Sequence, residues 1–136
     1  MVEASKNILA EIVKEYVDIL LANEDEARVF TGCIDESDAM EVLARDAEIA
    51  VLKVGKRGSH ISYKGEIHSF GIIGSGEALD TTGAGDLWAS GFLYGLVNGM
   101  PIEKCGTLAA ACGYEVCQVI GAHIPENGWK NIKKIL

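Results

Sequence analysis

The pattern of apolar and polar positions along the chain alternates between helical and strand-like segments. From residue 3 to 16, apolar residues recur at helical spacing with charges between them, which predicts an amphipathic helix. Residues 17–22 and 48–54 are short apolar runs typical of buried parallel strands. Between these runs, the segments beginning at Asn23 and Asp35 each join a capping side chain to a first turn rich in acids. Two more helices are therefore predicted there.

The second half of the chain continues this alternation. Residues 59–63 and 66–70, separated by Lys64-Gly65, predict a β-hairpin. A Gly-rich loop over 71–79 leads to a helix over 87–98, and Pro101 begins another helix that runs towards Cys117. A turn at Gly121-Ala122 precedes a terminal helix over 127–136. The order predicts one α/β domain over 1–136, with a mostly parallel sheet flanked by helices and ligands at the carboxyl ends of its strands.

Composition and charge narrow the class of protein. The chain has 136 residues and a formal net charge of −8, which argues against a nucleic-acid or anionic membrane surface. It has no apolar run of the ~18 residues that a membrane span needs and no signal-peptide pattern at its start, so we expect a cytoplasmic protein. The four cysteines form no Cys-x-x-Cys pair, which favours small core residues in a reducing compartment.

The heptad Asp80-Thr81-Thr82-Gly83-Ala84-Gly85-Asp86 carries the strongest chemical signal. It lies where a loop becomes a helix, so backbone N–H groups of residues 83–86 can point outward unpaired, as phosphate binding requires. Asp86 could accept a proton from an attacking hydroxyl. A tight turn would explain Gly-x-Gly-Asp alone, but not Asp80, the Thr pair and two glycines that each cost up to ~1 kcal/mol relative to Ala. The heptad predicts a phosphoryl-transfer centre.

Three motifs in order resemble the ribokinase-like (PfkB) family of carbohydrate and nucleoside kinases. They are Asn23-x-x-Glu26 after one strand, Lys53-x-Gly55-x-x-Gly58 after the next, and the heptad before a helix. The resemblance covers only the carboxyl-terminal half of the family's pattern. It implies a Rossmann-like, ribokinase-like fold that is incomplete because the amino-terminal half is absent. We therefore expect a fragment, a truncated reading frame or a piece of a longer kinase.

The same resemblance implies an activity and its central residues. The activity is ATP-dependent phosphorylation of a hydroxyl on a sugar or nucleoside, the small-molecule partner. Asp86 would be the base, and Gly83, Ala84 and Gly85 would offer backbone N–H groups to the transferred phosphoryl, which agrees with the residue-level interpretation.

Further roles implied by the resemblance concern the nucleotide and its metals. Asn23 and Glu26 would bind Mg²⁺ and phosphate through waters, although both could be only a helix cap and a first-turn acid. Gly55 and Gly58 would let the backbone pass close to ATP, or form a plain turn after the strand. Lys53 precedes that turn, where many members have Thr.

The carboxyl-terminal positions implied by the resemblance also have plainer alternatives. Asp80 and Thr82 match a site for a monovalent cation such as K⁺, or they only brace the loop. Gly121 and Ala122 resemble the family's final turn on the nucleotide side. Ala110 would line the adenine pocket, or serve only in helix packing.

Other functions stay open at this level. Within the family, residues 16–24 and the helix over 105–121 resemble the adenosine-kinase-type branch more than ribokinase itself. The chain could instead be a non-catalytic fragment that binds nucleotide, or one that self-associates as a homo-oligomer through an exposed sheet edge. A dinucleotide-binding oxidoreductase is disfavoured, because Gly71, Gly74 and Gly76 have the wrong order for Gly-x-Gly-x-x-Gly.

Overall fold

In the computed structural model, which describes residues 3–75 and 77–136, the chain divides into two units, Met1–Ser69 and Phe70–Leu136. Gly76, the last glycine weighed as a dinucleotide motif, lies outside the described residues. The elements up to the junction of the two units are α1 (Glu3–Tyr16), β1 (Ile19–Asn23), α2 (Glu24–Thr31), α3 (Glu36–Asp46), β2 (Ile49–Lys53), a 3₁₀ turn (Gly55–Arg57), β3 (Ser59–Tyr63) and β4 (Glu66–Phe70).

The sheet has the order β1-β2-β3-β4 and is mixed rather than mostly parallel. Strands β1 and β2 are parallel, with Asn23 opposite Lys53, whereas β2 and β3 are antiparallel. The short turn at Gly55–Arg57 cannot provide the crossover that a parallel connection needs. Lys64 and Gly65 both have positive φ, which suits the two-residue turn of the predicted hairpin between β3 and β4.

The core of the first unit lies between β2 and the helices that pack on it. Ala50, Val51 and Leu52 of β2 are almost completely buried, and α3 contributes the fully buried Leu43. Helix α2 ends at Gly32, which adopts the left-handed conformation at φ 74°. The predicted alternation of strand and helix is confirmed here.

Helix α1 forms over its predicted residues, but most of its apolar stripe stays outside the core. Val13 is buried, whereas Ile8 is 58% exposed, Ile12 45% and Tyr16 76%. Strand β1 lies at an end of the sheet, so one of its edges has no neighbouring strand among the described residues. The first unit therefore presents an apolar helix face and a strand edge.

The second unit contains α4 (Ala84–Val97), α5 (Ile102–Val116) and α6 (Glu126–Lys133). Helix α4 begins earlier than the predicted residue 87, because Gly83 takes a left-handed conformation and lets Ala84, Gly85 and Asp86 form the first turn. Among the described residues, no helix combines the length and apolar composition needed to cross a bilayer.

Helices α4 and α5 approach closely through glycines. A Cβ atom added at Gly91 would lie 2.9 Å from the Cys112 Sγ atom, and one added at Gly95 would lie 2.7 Å from the Cys105 Sγ atom and 3.1 Å from its Cα atom. Both cysteines are buried and free, as is Cys117, whereas Cys33 is only partly buried, so the prediction of small core residues is confirmed for three of the four cysteines. Only glycine permits this helix spacing.

We expect Gly95→Ala to lower the free energy of unfolding by about 1–2 kcal/mol, because the clash with Cys105 outweighs the gain in helix propensity. Gly113→Ala is the matched control: it is also helical, but its added Cβ would make only ordinary contact with Trp88, at 3.4 Å. It should raise the free energy of unfolding by up to about 1 kcal/mol. Urea denaturation followed by circular dichroism measures both, and equal or greater stability of Gly95→Ala would contradict the packing argument.

Candidate functional site

The loop before α4 is closed by the carboxylate of Asp80. One carboxylate oxygen accepts from the Thr82 N–H at 2.9 Å and from the Thr82 hydroxyl at 2.6 Å. The other accepts from the Gly121 N–H at 2.9 Å. The hydrogen bond from Gly121, followed by those from Thr82, lowers the pKa of Asp80 from 3.8 to about 2. Asp80 therefore stays ionised and joins this loop to the turn after α5.

Gly83 brings the same two segments into contact. Its φ is 77°, and a Cβ added there would lie 2.6 Å from the Cβ atom of Ala122. Both the backbone conformation and the close approach require glycine. The structure thus brings together Asp80, Thr82, Gly83, Gly121 and Ala122 of the predicted site.

The amino end of α4 presents backbone donors. The Leu87 N–H donates to the Gly83 carbonyl at 2.9 Å, and the Ala84 N–H donates to the Thr81 carbonyl at 3.1 Å. Within residues 3–75 and 77–136, the N–H groups of Gly83, Gly85 and Asp86 have no hydrogen-bond partner. The end of this 14-residue helix can accept an anion. Of the three expected donors, Ala84 differs because its N–H is already bonded.

Asp86 lies in the first turn of α4 with an exposed side chain. Its carboxylate makes no hydrogen bond or ion pair with any described residue. A carboxylate beside unpaired N–H groups can receive a proton from a hydroxyl while an anionic group binds at the helix end. The heptad predicted such an arrangement with the Ala84 N–H as a further donor, and the role of Asp86 as a base stays a prediction.

In the first unit, Asn23 and Lys53 lie side by side, because the ends of β1 and β2 are in register. The Asn23 side chain accepts from the Glu26 N–H at 2.8 Å, and the Glu26 carboxylate accepts from the Asn23 N–H at 2.8 Å. This is a capping box, so the alternative of a cap and a first-turn acid is realised. A role for the two side chains in binding Mg²⁺ stays a prediction.

The turn after β2 is built on its two predicted glycines. Gly55 has φ 58° and Gly58 has φ 101°, backbone angles that residues with a Cβ atom rarely adopt. The Val54 N–H donates to the Gly58 carbonyl at 2.9 Å, which closes the turn. No described atom lies within 4 Å of a Cβ added at Gly55, so space for a ligand remains beside the backbone.

Arg57, within this turn, was missed by sequence reasoning. Its guanidinium donates to the carboxylates of Glu24 and Glu36, including a bond of 3.0 Å from Nη1 to Glu36 Oε2. The hydrogen bond from Arg57 lowers the pKa of Glu36. The available signal was a basic turn residue and two acids that each open a helix, but no local spacing rule joins them.

The remaining predicted residues stay predictions. Ala110 is partly buried in α5 between two buried alanines. Asp80 and Thr82 have the oxygen atoms that a monovalent cation needs, but they also brace the loop through their own hydrogen bonds. In the described part of the chain, no three His, Cys, Asp or Glu side chains are grouped so as to hold a metal ion.

The profile of the pfkB family carbohydrate kinases matches residues 3–128. The chain belongs to this family. A cytidine kinase from Thermococcus kodakarensis is 36% identical over 119 residues, which cover 85% of this chain and 42% of the relative. The pfkB homologues are sugar and nucleoside kinases.

Solved pfkB-type kinases share the fold. Adenosine kinase from Sinorhizobium meliloti superposes with a TM-score of 0.89 at 30% identity. The match covers 98% of this chain and 41% of the adenosine kinase chain. Arabidopsis thaliana ribokinase, solved with ribose and ATP, gives a TM-score of 0.79 at 30% identity, and the match covers 93% of this chain and 42% of the ribokinase chain. The expected ribokinase-like fold is confirmed, and the chain spans less than half the length of these relatives.

We expect Thr82→Val to raise the pKa of Asp80 above about 2, because the carboxylate loses the hydroxyl donor. Since folding lowers this pKa, the stabilisation from Asp80 is present above pH 3.8 and is lost as the pH falls through about 2. The stability difference between wild type and Thr82→Val should shrink over that pH range. Carboxyl NMR titration and denaturation at several pH values measure the two effects.

The matched control is Thr81→Val, because the Thr81 side chain makes no hydrogen bond to Asp80. It should leave the pKa of Asp80 unchanged. An Asp80 that titrates near 3.8 in the wild type would contradict the loop geometry.

Proposed function

We propose that this chain carries the ATP-binding and catalytic-base portion of a kinase that phosphorylates a hydroxyl of a nucleoside or sugar. The observation that carries the proposal is the amino end of α4, where unpaired N–H groups of Gly83, Gly85 and Asp86 lie beside the exposed Asp86 carboxylate. Membership of the pfkB family supports the same reaction class. ATP is the proposed donor, and ribokinase, a relative solved with ATP, supports this choice.

In the proposed reaction, the acceptor hydroxyl attacks the γ-phosphorus of ATP and its proton passes to Asp86. The bond between the γ-phosphorus and the bridging oxygen breaks, and ADP leaves. The unpaired N–H groups of residues 83 and 85 stabilise charge on the transferred phosphoryl. Because such a transfer depends mainly on positioning and charge, a fixed loop and an oriented carboxylate are what the protein must supply.

Asn23 and Glu26 are the proposed Mg²⁺ and phosphate residues of the first unit. Both side chains are exposed and offer hard oxygen atoms. Two such ligands suit a Mg²⁺ ion that keeps most of its water shell, because Mg²⁺ is seldom bound by protein atoms alone. The metal would neutralise phosphate charge. Lys53, Gly55 and Gly58 are the other proposed nucleotide-binding residues of this unit. Within the second unit, the proposed nucleotide-binding residues are Ala110, Gly121 and Ala122.

We propose a nucleoside or a related sugar as the acceptor, because cytidine kinase and adenosine kinase are among the similar proteins. K⁺ is the proposed monovalent ion at Asp80 and Thr82. The cytoplasm is the proposed compartment, and free, buried cysteines suit its reducing conditions.

A second candidate is a non-catalytic fragment that binds nucleotide or self-associates. The edge of β1 and the exposed apolar residues Ile8, Ile12 and Tyr16 favour it, because unpaired strand edges and apolar faces promote association. Light scattering during an ATP titration separates the two candidates. A dimer that does not respond to ATP would exclude the kinase proposal for this chain.

We expect Gly85→Val to weaken ATP binding to the chain, because a branched side chain at the helix end obstructs the phosphate. Isothermal titration calorimetry measures the affinity. The Gly113→Ala chain is the matched control and should bind ATP as the wild type does. Equal affinity of Gly85→Val and wild type would contradict an anion site at the start of α4.

Asp86→Asn should lower kcat by about 10²–10⁴-fold in the full gene product that contains this chain, with little change in the KM for ATP. The reason is that asparagine cannot accept the hydroxyl proton. The assay follows ADP release with cytidine, adenosine and ribose as acceptors. A kcat within threefold of the wild type would contradict the assignment of Asp86 as the base.

A further inference from the structure

We propose that Arg57 is a positioning residue of the nucleotide site: it holds the Gly55–Gly58 turn on the amino ends of α2 and α3 and compensates the charge of Glu24 and Glu36 beside bound ATP. The inference rests on the proposed function and deepens it, because it concerns how that site accepts a polyanion.

The bridge formed by Arg57 joins distant parts of the first unit. Nη1 donates to Glu36 Oε2 at 3.0 Å, and Nη2 donates to both Glu36 and Glu24. Glu36 thus forms a bidentate pair with the two terminal nitrogens of the guanidinium. A bidentate arginine–carboxylate pair fixes the relative orientation of the two groups in addition to their charge attraction. Glu24 and Glu36 are the first residues of α2 and α3.

The turn that carries Arg57 has few other attachments. Among the described residues, its backbone hydrogen bonds are internal: the Val54 N–H donates to Gly58, the Arg57 N–H to Val54 and the Gly58 N–H to Gly55. Gly55 lies in open space, with no described atom within 4 Å of an added Cβ. The guanidinium is therefore the side chain that orients this turn relative to the two helix ends.

Acidic side chains outnumber the cations around the turn, which itself carries Lys56 and Arg57. Helix α2 opens with Glu24, Asp25 and Glu26, and Glu36 adds a further carboxylate. ATP carries several negative charges, and Asn23, a proposed phosphate residue, directly precedes Glu24 in the chain. Without Arg57, two carboxylates would repel the phosphates across a short and partly screened distance.

Two roles of Arg57 can be distinguished by removing the charges of Glu24 and Glu36: compensation of their charge, or structural support of the fold alone. If the bridge only supports the fold, Glu24→Gln/Glu36→Gln should weaken ligand binding or leave it unchanged. If Arg57 compensates charge, the same variant should bind ATP more tightly than the wild type, because two repulsive carboxylates are gone and the guanidinium stays. Adenosine has no phosphate, so its affinity should change little in either direction.

The test measures the affinity of the full chain for ATP and for adenosine by calorimetry, in low and in moderate salt. Arg57→Ala should weaken ATP binding by about tenfold in low salt and adenosine binding by less than about threefold. Arg57→Lys should fall between wild type and Arg57→Ala, because lysine keeps the charge but cannot bind both carboxylates in fork geometry. Moderate salt should reduce each ATP effect.

Adding Glu24→Gln and Glu36→Gln to Arg57→Ala should restore ATP affinity to within about threefold of the wild type. Arg45→Ala is the matched control, since Arg45 is an exposed arginine near the end of α3 and should leave ATP binding unchanged. Thermal melting checks that each variant folds. If Arg57→Ala does not fold, Arg57→Lys and the Glu24→Gln/Glu36→Gln variant decide the question.

Equal losses of ATP and adenosine affinity in Arg57→Ala, or no restoration by the two glutamines, would overturn the inference while the proposed function stands. Unchanged ATP binding in Arg57→Ala would do the same. A wild-type chain that binds neither ATP nor adenosine would overturn the proposed function of this chain and the inference together.

Discussion

The carboxylate of Asp80 is the constraint on which the candidate catalytic loop depends. Its three hydrogen bonds hold the loop before α4 in one shape and attach it to the turn at Gly121. That attachment places Ala122 against Gly83, where any side chain would collide, and Gly83 in turn starts α4 in its left-handed conformation. The unpaired N–H groups at the helix end and the orientation of Asp86 follow from this sequence of contacts. A residue of the preceding loop thereby fixes the helix end on which the proposed base lies.

An acidic protein that handles a polyanion must supply positive potential locally. The net charge is −8, so general attraction of a phosphate ligand is absent. For the proposed phosphate ligand, the second unit offers the dipole and unpaired donors of α4, whereas in the first unit Arg57 offsets part of the negative charge of Glu24 and Glu36. Both devices act over short distances, which favours a bound phosphate group at a defined position over a diffuse attraction to any anion.

Local chemistry in the sequence predicted much of this structure. Lys64-Gly65 forms the hairpin turn and the heptad opens a helix, because each depends on backbone conformations that few residues allow. The mixed sheet was not predicted, since the antiparallel pairing of β2 with β3 depends on the short length of the turn after β2. Long-range contacts were beyond local reasoning: Arg57 reaches acids on two other elements, and Asp80 finds a donor at Gly121. The predicted stripe of α1 shows a further limit, because helical periodicity states which face is apolar but not what covers it.

The buried thiols beside the glycines of α4 have one more consequence. Cys112 lies against Gly91 and Cys105 against Gly95, and burial raises the pKa of both thiols, so each is inaccessible and poorly nucleophilic in the closed pair. A thiol reagent can reach them only when α4 separates from α5. The rate of alkylation at these cysteines therefore reports how often the helix that carries the candidate base opens locally.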